Sequence, residues 1–248
     1  MTKLSTNSAK NKLVSTPQRI WAVLPAAGIG RRMGAQIPKQ YLPLAGKCVI
    51  EHSIDVLCAE PRIDAIVVAV AENDSNWQQL NFTQRERIIE VPGGAERAES
   101  VFNALCYLLE KSTASDWVLV HDAVRPCLNA KDLKALMATA LDTEDGAILA
   151  VPVRDTMKRV SENQIYETIS RENLWHAQTP QMFPLLKLYH ALERAQKMGV
   201  TVTDEAQAME RVGFRPVVVE GRMDNIKITR PEDLQQANFY LQTLEMAP

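Results

Sequence analysis

The chain has 248 residues, of which 46% are hydrophobic and 23% charged, and its formal net charge is −2. That size suits one large domain or one domain with an appendage. The charge excludes a general nucleic-acid binder, whose backbone contacts need a basic excess. Cys48, Cys58, Cys106 and Cys127 are far apart with no C-x-x-C pair, and the four histidines form no close ligand pair. This excludes a zinc or disulfide framework and points to free thiols in a reducing, cytoplasmic setting. No apolar stretch approaches the roughly 20 residues of a membrane span. Residues 1–18, with three lysines, no acid and no apolar core, are expected to be a disordered tail before a single domain over 19–248.

Taken in order, residues 20–24 form a short apolar run of the kind that makes a fully buried strand. It ends at Pro25 and opens into a loop of small residues, Ala26, Ala27, Gly28, Ile29 and Gly30, with Arg31, Arg32 and Lys39 behind it. Small residues let backbone N–H groups approach a ligand, so a strand feeding such a loop with cations nearby suits a polyphosphate. The spacing matches neither the P-loop nor the dinucleotide fingerprint. A turn at Ala45–Lys47 leads to a helix with Ile50, Ile54, Val56 and Leu57 inward, then a β-branched strand over 64–71. A short helix is expected around Trp77 and a third strand over 87–91, running into the close-approach loop Pro92–Gly93–Gly94.

A helix over 96–110 buries Val101, Ala104, Leu105, Leu108 and Leu109. Strand 117–121 delivers Asp122 at its carboxyl end, helix 131–141 follows, and strand 147–153 comes next. Strands alternating with helices predict an α/β fold, a Rossmann-like, mostly parallel sheet with helices on both faces. Ligands of such sheets bind beyond the carboxyl ends of the strands, where the Pro25 loop, the Gly93–Gly94 loop and Asp122 all fall.

The pattern changes over about 154–175. Two short polar strands, 156–160 and 164–170, flank Ser161–Glu162–Asn163 as a protruding β-hairpin arm with too few apolar residues for its own core. A second copy of the chain is the simplest surface for it to pack on. An amphipathic helix over 184–198 follows, then a helix from Asp204 to before Gly213 and a strand over 215–220. A capping box Thr229-x-x-Glu232 opens a final helix ending near Leu241.

Arg32, Lys39, Asp122, Arg125, Asp224 and Lys227 thus collect at one edge. Cations to neutralise an α-phosphate and leaving pyrophosphate, and carboxylates to hold Mg²⁺, are the requirements of nucleotidyl transfer. Attack by a phosphate oxygen needs no covalent intermediate and no general base, so the lack of a Ser–His–Asp or Cys–His arrangement is expected. The strings PAAGIGRRM, PKQY, GGAERAESV, HDAVRPC, PVRDTMKR, RENLWHAQTPQ, TDEA and EGRMDNIKITRPEDL occur in that order. Together they resemble the 2-C-methyl-D-erythritol 4-phosphate cytidylyltransferase family over about residues 20–242.

The resemblance implies CTP and a polyol phosphate as substrates, Mg²⁺ as the divalent cation, and a homodimer whose arms complete each other's sites. It implies that Arg32 and Lys39 stabilise the transition state and that Pro25, Ala26, Ala27, Gly28, Gly94 and Ser100 hold the nucleotide. Arg171 and Lys227 would place the acceptor phosphate, with Thr156, Asp122, Arg125 and Thr203 beside them, and Asp122 and Asp224 are the metal candidates. Ala95 stands where the family commonly has aspartate. The competing readings are a cytidylyltransferase for another polyol phosphate, such as ribitol 5-phosphate, and a non-catalytic nucleotide-binding regulatory module. Retention of both Arg32 and Lys39 argues against the latter.

Overall fold

The computed structural model of the chain describes residues 18–28 and 37–246. The expected tail falls almost wholly outside these residues, and Arg31 and Arg32 fall outside them too. In chain order the elements are β1 (Ile20–Pro25), β2 (Pro43–Leu44), β3 (Lys47–Cys48), α1 (Val49–Cys58), β4 (Ile63–Val70), α2 (Ser75–Gln78), β5 (Ile88–Pro92), α3 (Arg97–Leu109) and β6 (Trp117–Val120). They continue with α4 (Ala130–Leu141), β7 (Ala147–Pro152), β8 (Met157–Ser161), β9 (Gln164–Ile169), β10 (Trp175–Pro184), α5 (Leu185–Lys197), α6 (Glu205–Arg211), β11 (Val217–Glu220) and α7 (Pro231–Met246).

A strand covered by helices on both sides must be apolar at every position, not at alternate ones. β1, β4, β6 and β7 meet that demand, with almost no polar residue in any of them. They form the centre of a seven-stranded sheet ordered β11-β7-β10-β6-β1-β4-β5. Successive side chains of β1 point to opposite faces. Ala22 and Leu24 join Ile50, Ile54 and Leu57 of α1 and Leu133 and Leu136 of α4. Trp21 and Val23 join Val101, Leu105 and Leu108 of α3 and Leu188 and Leu192 of α5. Val56 and Leu109, read as inward-facing, are only partly buried at the margins of these layers.

Six strands of the sheet run the same way, and β10 runs antiparallel to both of its neighbours, β6 and β7. The pattern of apolar runs does not predict β10. Its middle is Gln178–Thr179–Pro180–Gln181, which reads as loop, and the ladder to β7 slips between Ala177 and Gln181. All three polar side chains of that segment are buried, and each is bonded to a different part of the chain. The last helix also differs from expectation. Asp233, not Glu232, accepts the N–H groups of Thr229 and Arg230 at 2.7 and 2.8 Å, and α7 extends to Met246.

β8 and β9 form the expected arm. Glu162 and Asn163 at its tip both have positive φ, +49° and +64°, the left-handed pair that a two-residue hairpin turn requires. Val160, Ile165 and Tyr166 are exposed, Tyr166 at 75%.

Candidate active site

Parallel strands bring their carboxyl ends to one edge, and the loops leaving β1, β5 and β6 meet there around a cleft of about 380 Å³. The loop after β1 is anchored by the Ala26 N–H, which donates to the Ala69 carbonyl at 2.7 Å. Buried Gln40 braces it from behind, its Nε2 donating to the carbonyls of Ala26 at 2.6 Å and Gly28 at 3.0 Å. With those carbonyls held on one side, the far face of the loop is left to the cleft. Gly93 packs directly on this loop, and a Cβ there would sit 2.3 Å from the Cβ of Ala27, so no other residue fits. The Ser100 hydroxyl, in the first turns of α3, accepts the Gly94 N–H at 3.0 Å and donates to the Glu96 carbonyl at 3.2 Å. Glu99 accepts the N–H of Ala95 at 2.7 Å, so that amide is satisfied locally without a side-chain acceptor at position 95.

Across the cleft lies a charged cluster centred on Asp122, which is 5% exposed. Its Oδ1 accepts from Arg97 Nε at 2.8 Å, its Oδ2 meets Lys227 Nζ at 2.8 Å, and Arg125 Nε lies 3.6 Å from Oδ2. Burial alone would push the Asp122 carboxyl up, but the charges of Arg97, Lys227 and Arg125 outweigh it and hold the group well below the usual carboxylate range. Arg97 is also forked onto Glu205, at 2.7 and 3.0 Å. Three cations against two carboxylates leave the cluster one positive charge in excess. Lys39 adds another at the cleft wall, where its Nζ donates to the Ile228 carbonyl at 2.9 Å.

Buried histidine His121 sits behind Asp122 and is a support, as its neighbours require. A backbone carbonyl can only accept, so His121 Nε2 carries the proton donated to the Arg125 carbonyl at 3.2 Å. Nδ1 must then accept from the Thr179 hydroxyl at 3.1 Å, and that oxygen in turn accepts the Asp122 N–H at 3.0 Å. Burial pushes the imidazole pKa down to about 4, so the ring is neutral near pH 7.

The structure therefore brings Pro25, Ala26, Ala27, Gly28, Lys39, Gly94, Ser100, Asp122 and Lys227 around one cleft, with Arg125 directly behind. Arg32 lies outside the described residues. Asp224 does not line this cleft. Arg222 binds it at 2.5 to 3.1 Å, and it borders a separate hollow with Arg154 and Tyr240. Thr203 is exposed and bonded to Gln207 at the start of α6. Thr156 and Arg171 are exposed at the base of the arm, where Arg171 Nη1 donates to the Arg154 carbonyl. None of these three lines the cleft.

Sequence reasoning assigned no role to Gln40, Arg97, Thr179 or Glu205. Their signal was present only as membership of the strings PKQY, GGAERAESV, RENLWHAQTPQ and TDEA. Their partners lie up to 108 residues away.

Residues 20–243 match the family model described as 2-C-methyl-D-erythritol 4-phosphate cytidylyltransferase. The enzyme of that name from Aeromonas hydrophila subsp. hydrophila is 55% identical over 222 residues, covering 89% of each chain. The one from Tolumonas auensis is 53% identical over 230 residues, covering 92% of this chain and 99% of its own. Among solved structures, the Francisella tularensis 2-C-methyl-D-erythritol 4-phosphate cytidylyltransferase is 36% identical, with a TM-score of 0.78 over 90% of this chain and all of that one. Sequence, fold and the arrangement of the cleft agree, and the chain belongs to the 2-C-methyl-D-erythritol 4-phosphate cytidylyltransferase family.

Proposed function

We propose that the protein transfers CMP from CTP to 2-C-methyl-D-erythritol 4-phosphate, giving CDP-methylerythritol and pyrophosphate. The observation that carries this reading is the convergence of the small-residue loop, the Gly93–Gly94 loop and the ammonium groups of Lys39 and Lys227 on one cleft. The cytosine and ribose are placed between the Pro25–Gly28 loop and Gly94–Ser100, and the triphosphate runs toward Lys39. The acceptor phosphate arrives on the side of Lys227 and Arg125. One of its oxygens forms the new bond to the α-phosphorus as the bond to the bridging oxygen breaks, and pyrophosphate leaves with that electron pair. Lys39 opposes the charge that builds on the phosphoryl oxygens. The attacking oxygen is already ionised, so no side chain has to remove a proton.

Mg²⁺ bound to the triphosphate supplies further charge neutralisation. It commonly keeps several waters and takes only one or two carboxylates. Asp122 lines the cleft and is ionised, but both of its oxygens are taken by Arg97, Lys227 and Arg125; Asp224 is held by Arg222 beside another hollow. Among the described residues no group of three or more His, Cys, Asp or Glu is arranged to hold a metal.

We also propose a homodimer joined through the arms. Thr156 and Arg171 are outside the cleft of their own chain, and exposed Val160, Ile165 and Tyr166 give the arm an apolar surface to bury. The four free thiols suit a reducing cytoplasm. The test of the reaction is pyrophosphate release with CTP, Mg²⁺ and either 2-C-methyl-D-erythritol 4-phosphate or ribitol 5-phosphate. Turnover of the first and not the second is expected, and preference for ribitol 5-phosphate would overturn the acceptor assignment.

A further inference from the structure

Four charged side chains are strung in alternation through the wall of the cleft: Glu205, Arg97, Asp122 and Lys227. The far end of this row is fixed to the sheet. Glu205 is the first residue of α6 and is 1% exposed. The helix start beside it is clamped by Gln181 of β10, whose Nε2 donates to Asp204 Oδ2 and whose Oε1 accepts the Ala206 N–H, both at 2.9 Å. Glu205 then takes both Nη atoms of Arg97 in a fork, which fixes the plane of the guanidinium. Only the Nε edge is left for Asp122, and it takes Oδ1. With Oδ1 held there, Oδ2 is directed at Lys227. Charge points the same way. Asp122 alone cannot balance Arg97, Arg125 and Lys227, and Glu205 compensates the first of them.

We propose that Glu205 and Arg97 are positioning residues for the transfer reaction: the Glu205 fork keeps Arg97 on Asp122 Oδ1, so that Asp122 Oδ2 holds the Lys227 ammonium at the cleft wall where the acceptor phosphate arrives. The inference rests on the reading above that Lys227 meets that phosphate. Without the fork, Arg97 is drawn toward the triphosphate and Asp122 is free to turn, so Lys227 loses its place. The row starts on α6, passes through Arg97 beside the loop that meets the nucleotide and ends on the residue that meets the acceptor, yet its action is on the acceptor side.

The test uses Glu205→Gln, which keeps the shape and removes the charge, and Arg97→Lys, which keeps the charge and removes the fork. In both, the Michaelis constant for the acceptor is expected to rise about tenfold while that for CTP stays within about twofold. In an Asp122→Asn background the Glu205→Gln step should shrink to under about twofold, because a residue acting through another is non-additive with it. A purely structural ion pair would instead lower the melting temperature and raise both constants alike. That result, wild-type constants in both variants, or an undiminished step in the Asp122→Asn background would each overturn the proposal.

A substrate-free readout separates this inference from the proposed reaction. With the lysines carrying ¹³C-methyl labels, the Lys227 signal, assigned through Lys227→Arg, should move in Glu205→Gln and Arg97→Lys toward its position in Asp122→Asn. An unmoved Lys227 signal refutes the strut whatever the substrate proves to be. A moved signal in a protein that does not turn over the acceptor refutes the reaction and leaves the strut standing.

Discussion

Asp122 and Arg171 are both charged, both belong to the proposed site, and are held in opposite ways. Around Asp122 the same chain supplies Arg97, Arg125, Lys227, the Thr179 hydroxyl and, behind them, buried His121. The Arg171 guanidinium, on the arm, donates to the carbonyl of nearby Arg154, and the neighbouring strands carry solvent-facing ion pairs such as Arg159 with Glu167. A buried carboxylate needs its partners built in, because losing one leaves an uncompensated charge in a poorly solvated place. An exposed guanidinium has no such requirement and can wait for a partner from elsewhere. The cleft is thus preorganised within the chain, whereas the arm leaves Arg171 exposed, as the proposed dimer would require.

The largest effect should come from the cleft. Lys39→Ala removes a cation from the wall where charge develops, and the loss of one such group costs about 2.7–4 kcal/mol in activation free energy. Turnover should fall about 10²–10³-fold with the melting temperature little changed, measured by steady-state pyrophosphate release. Near-normal turnover would mean that the chemistry lies elsewhere.

The buried network should also show in stability against pH, and the arm should not. His121 is held neutral by burial, with its pKa pushed down from 6.5 to about 4. As pH falls through that window the unfolded chain takes up a proton that the folded chain refuses, so folding loses about 1.4 kcal/mol per pH unit, up to about 3 kcal/mol. Asp122 has the opposite charge type but also a depressed pKa; its contribution is present above the ordinary carboxylate range and lost only below it. The interval from about pH 6.5 to 5, above the range where the depressed carboxylates begin to lose their contribution, therefore isolates the histidine. Urea titrations should show a flatter slope there in His121→Asn, while Arg171→Ala keeps the wild-type slope. Parallel slopes for wild type and His121→Asn would show that the imidazole is not buried as a neutral group.

The arm is tested by changing the affinity for the acceptor. Arg171→Ala should raise the Michaelis constant for the polyol phosphate and spare that for CTP, at a cost of about 1.5–3 kcal/mol for a bond to a charged group. If Arg171 serves a partner's cleft, mixing Lys39→Ala with Arg171→Ala restores activity, since one of the two sites in each mixed dimer then carries neither defect. Unchanged inactivity after subunit exchange has been verified by mass spectrometry would place the arm over its own cleft and remove the contrast between the two regions.

The same contrast explains what could be read from the residues alone. The buried centre of the sheet was legible because covering both faces forces uninterrupted apolar runs, as in Ile20–Pro25 and Ile63–Val70. The hairpin was legible because its exposed strands are polar around a turn that tolerates positive φ. β10 was not, since its Gln178, Thr179 and Gln181 are buried by bonds to Arg222, His121 and Asp204, residues 23 to 58 positions away. A long-range hydrogen bond leaves no local periodicity. The loops of the cleft were found from their small residues, whereas the Glu205–Arg97 fork joins residues 108 apart and has no spacing by which to be recognised. Asp224 was grouped with Asp122 because both lie at strand ends, but Arg222, two residues before it, takes its carboxylate beside a separate hollow.

The smallest effect expected is also the one most specific to the nucleotide side. Ser100 offers the cleft loop a single neutral hydrogen bond, accepting the Gly94 N–H at 3.0 Å while donating to the Glu96 carbonyl. A bond of that kind contributes about 1 kcal/mol, and its loss leaves the Gly94 amide without its side-chain acceptor. Ser100→Ala should therefore raise the Michaelis constant for CTP about fivefold, leave the acceptor constant and the maximal rate near wild type, and lower stability only slightly. Ser100→Thr keeps the hydroxyl but adds a methyl group beside the tightly packed Gly93, whose missing side chain would lie 3.3 Å from the Ser100 Oγ. If the hydroxyl is what matters, threonine should bind CTP better than alanine despite its bulk. If alanine proves indistinguishable from wild type while threonine is impaired, the site at position 100 is selected for its small size and the base is read by the backbone alone.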